Sequence, residues 1–203
     1  MGGSEKIIIR PAGSKGELDK IFGLRYRSYL EKGYISENPS GTLSDEWDGL
    51  DATTHIVAIE NNHITGAVRM VRDSLKGLPM ERVFEREITS LRRQGRVLAE
   101  ASTLVTAKED RNSKRSLWLR LCRAVWREAQ ARKINDLCIA VTPNHLSFYK
   151  RLLFEIIGNP KRYILLNGIL AYPMRLRVDE ARVRHRSHRN DNAQSLRSHI
   201  LEP

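Results

Sequence analysis

The sequence predicts a mixed α/β fold, one layer of sheet with helices on its faces. Three observations predict it. Short runs rich in β-branched residues recur from one end of the chain to the other, in the pattern of strands. Stretches with apolar residues at helical spacing alternate with them. The 203 residues are 40% hydrophobic, which suffices for one core and is too apolar for a disordered chain.

The elements follow in order. Residues 6–10 (KIIIR) read as a strand stopped by Pro11. Residues 14–31 carry Leu18, Ile21, Phe22, Tyr26 and Tyr29 at helical spacing, with Ser14 or Lys15-Gly16 at the start. Residues 33–53 are polar and hold Gly33, Pro39, Gly41 and Gly49, a loop long enough to suggest a task of its own. Residues 55–60 and 63–71 read as two strands joined by a tight turn at Asn61 and Asn62. Residues 78–91 form one or two short helices, and residues 97–105 a strand. Residues 112–133 form a long amphipathic helix with Leu117, Leu121, Ala124, Val125 and Ala129 on one side. Residues 136–141 are a short buried strand. A helix over residues 143–154 starts from Thr142 as N-cap with Pro143 next. Residues 162–166 and 168–177 are strands. One domain therefore covers residues 1–178, and residues 179–203 form a basic C-terminal tail, helical or frayed.

Composition narrows the function classes. Two cysteines, Cys122 and Cys138, make no disulfide framework and fit a reducing compartment. No Cys/His cluster has the spacing of a zinc site. The first residues hold no apolar stretch long enough for a signal peptide, and the longest apolar region, residues 163–174, is too short to span a bilayer. A cytoplasmic protein is expected. The net charge of +11 admits nucleic acid or an acidic partner protein. Much of the excess is local: Lys108, Arg111, Lys114, Arg115, Arg120, Arg123, Arg127, Arg132 and Lys133 are opposed only by Glu109, Asp110 and Glu128. The unit of strand, basic loop and long helix is a ready anion site, through helix N-terminal amides with Arg111, Ser113, Lys114, Arg115 and Ser116 beside them. A solvated basic turn is the alternative.

The order of elements and this unit resemble the GNAT acyltransferase superfamily, which implies a central mixed, mostly antiparallel sheet with helices on both faces. Val105 and Arg111 approximate that family's Val-x-x-x-Arg-x-x-Gly-x-Gly motif, whose glycines are absent. The segment with Asn144, Phe148 and Tyr149 resembles the family's later helix, whose tyrosine lies near the thioester sulfur. Arg25 and Tyr29, then Tyr34, then Asp45 and Asp48, then Gly66 and Arg69, then Glu100 and Ser102 follow in the order of the acyl-homoserine-lactone synthases. Val71-Arg72 and Thr103 depart from that pattern, and the run from Asp48 through Asp51 to His55 is more similar to a sister group, the FeeM-type N-acyl amino acid synthases. The resemblance covers residues 6–178. It implies transfer of a long-chain acyl group from acyl carrier protein to the α-amine of an amino acid such as tyrosine. It implies no tightly bound cofactor, the donor being the acyl-phosphopantetheine of the carrier.

The residue types suit amide formation. An amine cation must lose a proton before it can attack, and Glu100 is a base for that step or a salt-bridge partner of Arg69. Asp45, Asp48 and Asp51 hold the substrate ammonium, pair with Arg25, or are helix-capping or solvated loop acids. Arg25 and Arg69 bind a carboxylate or form structural ion pairs. Tyr29 and Tyr34 line the substrate site, Ser102 donates toward the thioester oxygen or is a plain strand serine, and Tyr149 protonates the leaving thiolate or is plain core. Val105, Arg111, Ser113, Lys114, Arg115 and Ser116 hold the phosphopantetheine arm. No metal site is expected. Two other functions remain open: a lactone synthase using S-adenosylmethionine, and a nucleic-acid-binding module.

Overall fold

The computed structural model describes residues 7–107, 111–181, 183 and 193–201; side chains at 111–114 and 165 are outside that description. The chain opens with β1 (Ile8–Pro11) and α1 (Lys15–Glu31). Ser14 caps α1, its Oγ accepting from the Glu17 amide at 3.3 Å. Pro11 does not stop β1 as expected but belongs to it, opposite Ile56 on an edge strand where no amide is needed.

A loop then leads to the hairpin of β2 (Thr53–Glu60) and β3 (His63–Arg72). Asn61 and Asn62 both have positive φ, 50° and 62°, as a primed two-residue turn demands. Next come α2 (Glu81–Arg93), bent at Phe84, and β4 (Leu98–Thr106). The long helix is α3 (Arg111–Ala131), followed by β5 (Asp136–Val141).

The segment after β5 differs from expectation. Pro143–His145 is a 3₁₀ turn and only Leu146–Arg151 is α-helical, here α4. Thr142 does not cap it; its Oγ1 bonds His145 Nδ1 at 2.9 Å. A two-residue strand, β6 (Glu155–Ile156), follows. The strand predicted over 162–166 stops after Tyr163 as β7 (Lys161–Tyr163), because Ile164–Leu166 turns as a 3₁₀ helix into Asn167 at φ 48°. The chain ends in β8 (Ile169–Arg177) and a helix, α5 (Gln194–Leu201).

The sheet runs β1-β2-β3-β4-β5-β8-β6, with β7 also on β8. Every described pairing is antiparallel except β4 with β5. Alternation along β3 divides the core: Val68 and Met70 meet α3, Ala67 meets α1, and Val71 meets α2. Gly66 lets α3 lie close, since a Cβ there would sit 3.1–3.2 Å from Leu121, Leu117 and the Val105 carbonyl. α5 is no frayed end: Ile200 and Leu201 join the α3 core, and Arg197 is buried beside the Arg151 carbonyl at 3.3 Å.

Candidate active site

The one parallel pairing among the described residues is brief. β4 and β5 are in register only from Leu98–Asp136 to Glu100–Cys138, although β4 runs on to Thr106 and β5 to Val141. The strands part beyond that point, and a cavity of about 980 Å³ occupies the cleft. Its wall on the α1–α2 face of the sheet is charged. Its wall on the α3 face is apolar, with Val125, Leu137, Leu176 and Ile200 among its residues.

The charged wall is built by strand register. His55 lies opposite Arg69, and Arg69 opposite Ser102. Inward-facing positions that would be aliphatic in a plain core are polar here. Arg25, Arg69, Asp48, His55 and Glu100 are all under 10% exposed. Arg25, Arg69, Asp48 and His55 survive burial because they pair with one another. Asp48 accepts from Arg25 Nη1 at 2.7 Å and from Arg69 Nη1 at 2.9 Å. Asp45 takes a second bond from Arg69 Nη1 at 2.6 Å, and its amide donates to Asp48 Oδ2 at 2.8 Å. Arg69 Nε donates to Ser102 Oγ at 3.2 Å. No described residue accepts from Arg69 Nη2. Burial alone would lift the Asp48 carboxyl, but the two guanidiniums outweigh it and hold it below the usual range. Burial likewise opposes the charge on Arg69, and the two aspartates overcome it.

Sequence reasoning assigned no role to His55. Arg25 Nη2 donates to its Nδ1 at 3.0 Å, so Nε2 carries the proton and donates to the Asp48 carbonyl, also at 3.0 Å. Burial lowers its pKa, and the neutral tautomer fits both bonds. Its place depends on β2–β3 register, and the one sequence signal is a polar residue at an inward strand position.

Glu100 stands apart from this network. No ion pair joins it to Arg69; the arginine is committed to Asp45 and Asp48. Its Oε2 accepts from the Met80 amide at 2.7 Å. Desolvation outweighs that bond and the nearby Arg69 charge, pushing the carboxyl up to about 7. A buried carboxyl in a cavity, titrating near neutrality, can exchange protons with an amine.

Other predicted residues divide. Tyr29 and Tyr34 line the cavity edge to face, centroids 5.7 Å apart, and burial raises the Tyr29 phenol. Tyr149 lines it too, within an aromatic cluster of Trp118, Phe148 and Phe154, and burial raises its phenol well above the ordinary value. Asp51 does not join: it is exposed, and its backbone carbonyl accepts from Arg72. Val105 is buried against α1 and also borders the cavity. Arg115 is exposed at the cavity edge and Ser116 is exposed nearby. Lys108 and the side chains of Arg111, Ser113 and Lys114 lie outside the described residues. Thr103, at the bulge between β3 and β4, has φ 50° and a buried Oγ1 with no partner.

Residues 20–177 match the family model of the N-acyl amino acid synthase FeeM. The chain belongs to this family. It is an acyltransferase. No curated protein matches the sequence. Among solved structures, the FeeM-family chain is similar to FeeM itself, an N-acyl amino acid synthase from uncultured soil microbes. The TM-score is 0.79 at 23% identity, over 89% of this chain and 94% of that one. BjaI, a CoA-dependent acyl-homoserine lactone synthase solved with SAM and isopentyl-CoA, gives 0.67 at 18% identity, over 90% and 89%. A GNAT-family acetyltransferase from Streptococcus pneumoniae gives 0.58 at 20%, over 85% and 99%. At these identities the likenesses establish the GNAT fold. Among the described residues of this FeeM-family chain, no helix is long and apolar enough to cross a membrane, and no group of His, Cys, Asp and Glu is placed to hold a metal ion.

Proposed function

We propose that this synthase moves a long-chain acyl group from acyl carrier protein to the α-amine of tyrosine or a similar aromatic amino acid. The observation that carries this is the cavity itself. One continuous space joins a charged wall suited to a zwitterion with an apolar wall suited to a hydrocarbon chain.

The amino acid's carboxylate is met by Arg69, whose Nη2 has no described acceptor, while Asp45 and Asp48 hold that guanidinium in place. Tyr29 and Tyr34 favour an aromatic side chain. Glu100, its carboxyl raised to about 7, takes a proton from the ammonium. The freed amine attacks the thioester carbonyl carbon, with Ser102 near the oxygen. As the amide C–N bond forms the C–S bond breaks, and Tyr149 supplies the thiolate's proton. A phenol whose pKa is raised keeps its proton until then. The amine's second proton restores the Tyr149 phenol through solvent, and Glu100 gives up the first proton to solvent.

Attack is direct. Burial raises the thiol pKa of both Cys122 and Cys138, so neither is a thiolate nucleophile at neutral pH.

The carrier docks on the basic N-terminal end of α3. Along α3, Arg120 donates to the Ile7 carbonyl at 2.9 Å and keeps its charge, and Arg132 pairs with Glu128 at 3.0 Å. Arg111, Lys114 and Arg115 remain the docking set. Exposed pairs contribute only about 0.2–1 kcal/mol each, so the three must be reversed together. Their joint change to Glu raises the KM for acyl carrier protein about tenfold or more and leaves the KM for the amino acid unchanged. An unaltered KM for the carrier refutes the docking assignment. Mass spectrometry of lipid extracts from an expressing host tests the reaction. An N-acyl aromatic amino acid is expected; acyl lactones alone, or no new acyl amide, would refute it.

A further inference from the structure

We propose that α5, the C-terminal helix, sets the length of the acyl chain by closing the apolar end of the cavity with Ile200 and Leu201. The inference rests on the acyl-transfer reading above and adds a specificity element to it.

Three observations carry it. Ile200 and Leu201 line the same cavity as Glu100, but from the α3 side of the sheet. They share that wall with Leu137 and Leu176, which pair across β5 and β8 near the end of the sheet away from the parted strands. A chain whose thioester sits by Glu100 and Ser102 and whose tail passes under α3 therefore runs toward α5. Second, α5 is fixed in place. Arg197 is 1% exposed on the same helix, and its Nη1 donates to the Arg151 carbonyl at the end of α4. α4 itself supplies Phe148 and Tyr149 to the cavity. Third, the match to the family model ends at residue 177 and α5 begins at Gln194, so Ile200 and Leu201 lie outside the matched residues.

A wall of aliphatic side chains discriminates by methylene count. Each methylene seated in an apolar site is worth about fourfold in affinity, the equivalent of about 0.8 kcal/mol. Two methylenes gained or lost at the tail therefore change relative kcat/KM by about fifteenfold.

The test uses the full-length protein with tyrosine and a ladder of saturated acyl carrier protein thioesters of increasing even length. Ile200→Trp and Leu201→Trp fill the end of the cavity, and Ile200→Ala and Leu201→Ala open it. The readout is the ratio of kcat/KM between long and short donors within one preparation. That ratio does not depend on the fraction of enzyme folded. The Trp variants lower it about tenfold or more while retaining the shorter donors, and the Ala variants raise it. Wild-type activity with the same ratio in all four variants overturns the assignment to α5 alone. A wild type inactive on every donor overturns the acyl-transfer reading, and this inference with it.

Discussion

Glu100→Gln keeps the side-chain volume and an acceptor for the Met80 amide while removing the titrating carboxyl. In the folded protein that carboxyl is raised from 4.5 to about 7, chiefly by desolvation. The folded state thus keeps a proton that the unfolded chain loses as pH rises above about 4.5. The associated stability is full below that pH and is lost as pH rises through about 7. The gap between the two values corresponds to about 3 kcal/mol. Glutamine has no such dependence, so the variant gains on the wild type with rising pH. For a chain of this size, the difference in Tm, variant minus wild type, grows by about 5–10 °C between about pH 5 and about pH 8.5. Differential scanning calorimetry at the two pH values measures it. Constant offsets from the amide group cancel in the comparison. The same substitution removes the rise of kcat/KM through about pH 7 and lowers the rate by about 10²–10⁴. A Tm difference independent of pH would refute the buried, neutral carboxyl, and with it the reason for choosing Glu100 as the base.

The remaining predictions concern the charged wall and its neighbour. Asp48→Ala strands Arg25 and Arg69 and costs about 3–5 kcal/mol by urea denaturation, whereas Asp45→Ala, at the 36% exposed partner, costs clearly less. His55 is neutral when folded and its pKa is lowered, so its contribution is present above its ordinary 6.5 and is lost as pH falls below it. His55→Asn makes the acid side of a Tm-against-pH curve shallower, in a pocket where Arg25, Asp48 and Arg69 are the charged neighbours and Phe22 packs edge-on. Thr103→Val removes a buried hydroxyl without a partner and raises stability by about 1 kcal/mol; a lower denaturation midpoint would show that the hydroxyl is satisfied in solution.

How far these features could be read from sequence depends on whether they are local. Asn61-Asn62 between two apolar runs fixes a hairpin through its own backbone preferences, and the turn is where it was expected. The spacing of Leu117, Leu121 and Val125 likewise places α3 on the sheet. The order of Arg25, Asp48, Arg69 and Glu100 pointed to one site, and the fold brings them to one wall. Their partners were not legible. Whether Arg69 met Glu100 or Asp48 depended on a β3–β4 register that sets Arg69 opposite Ser102 and Glu100 opposite Val71. His55 went unassigned for the same reason. Short elements failed differently: β6 has two residues and the turn at 164–166 has three, too few for any period to show. α5 is eight residues long, and what holds it is burial of Arg197, Ile200 and Leu201 against distant elements, not its own propensity.

The central claim is that one cavity holds the amino acid at its charged wall and the acyl chain at its apolar wall. A crystal structure of the protein with an N-acyl tyrosine bound tests it directly. The account predicts the amide in the cleft between β4 and β5, with the carboxylate at Arg69, the amide nitrogen within hydrogen-bonding reach of Glu100, and the hydrocarbon under α3 toward Ile200 and Leu201. Density for the head group away from Arg69 and Glu100, or a chain lying on the outer surface with the cavity empty, would contradict it.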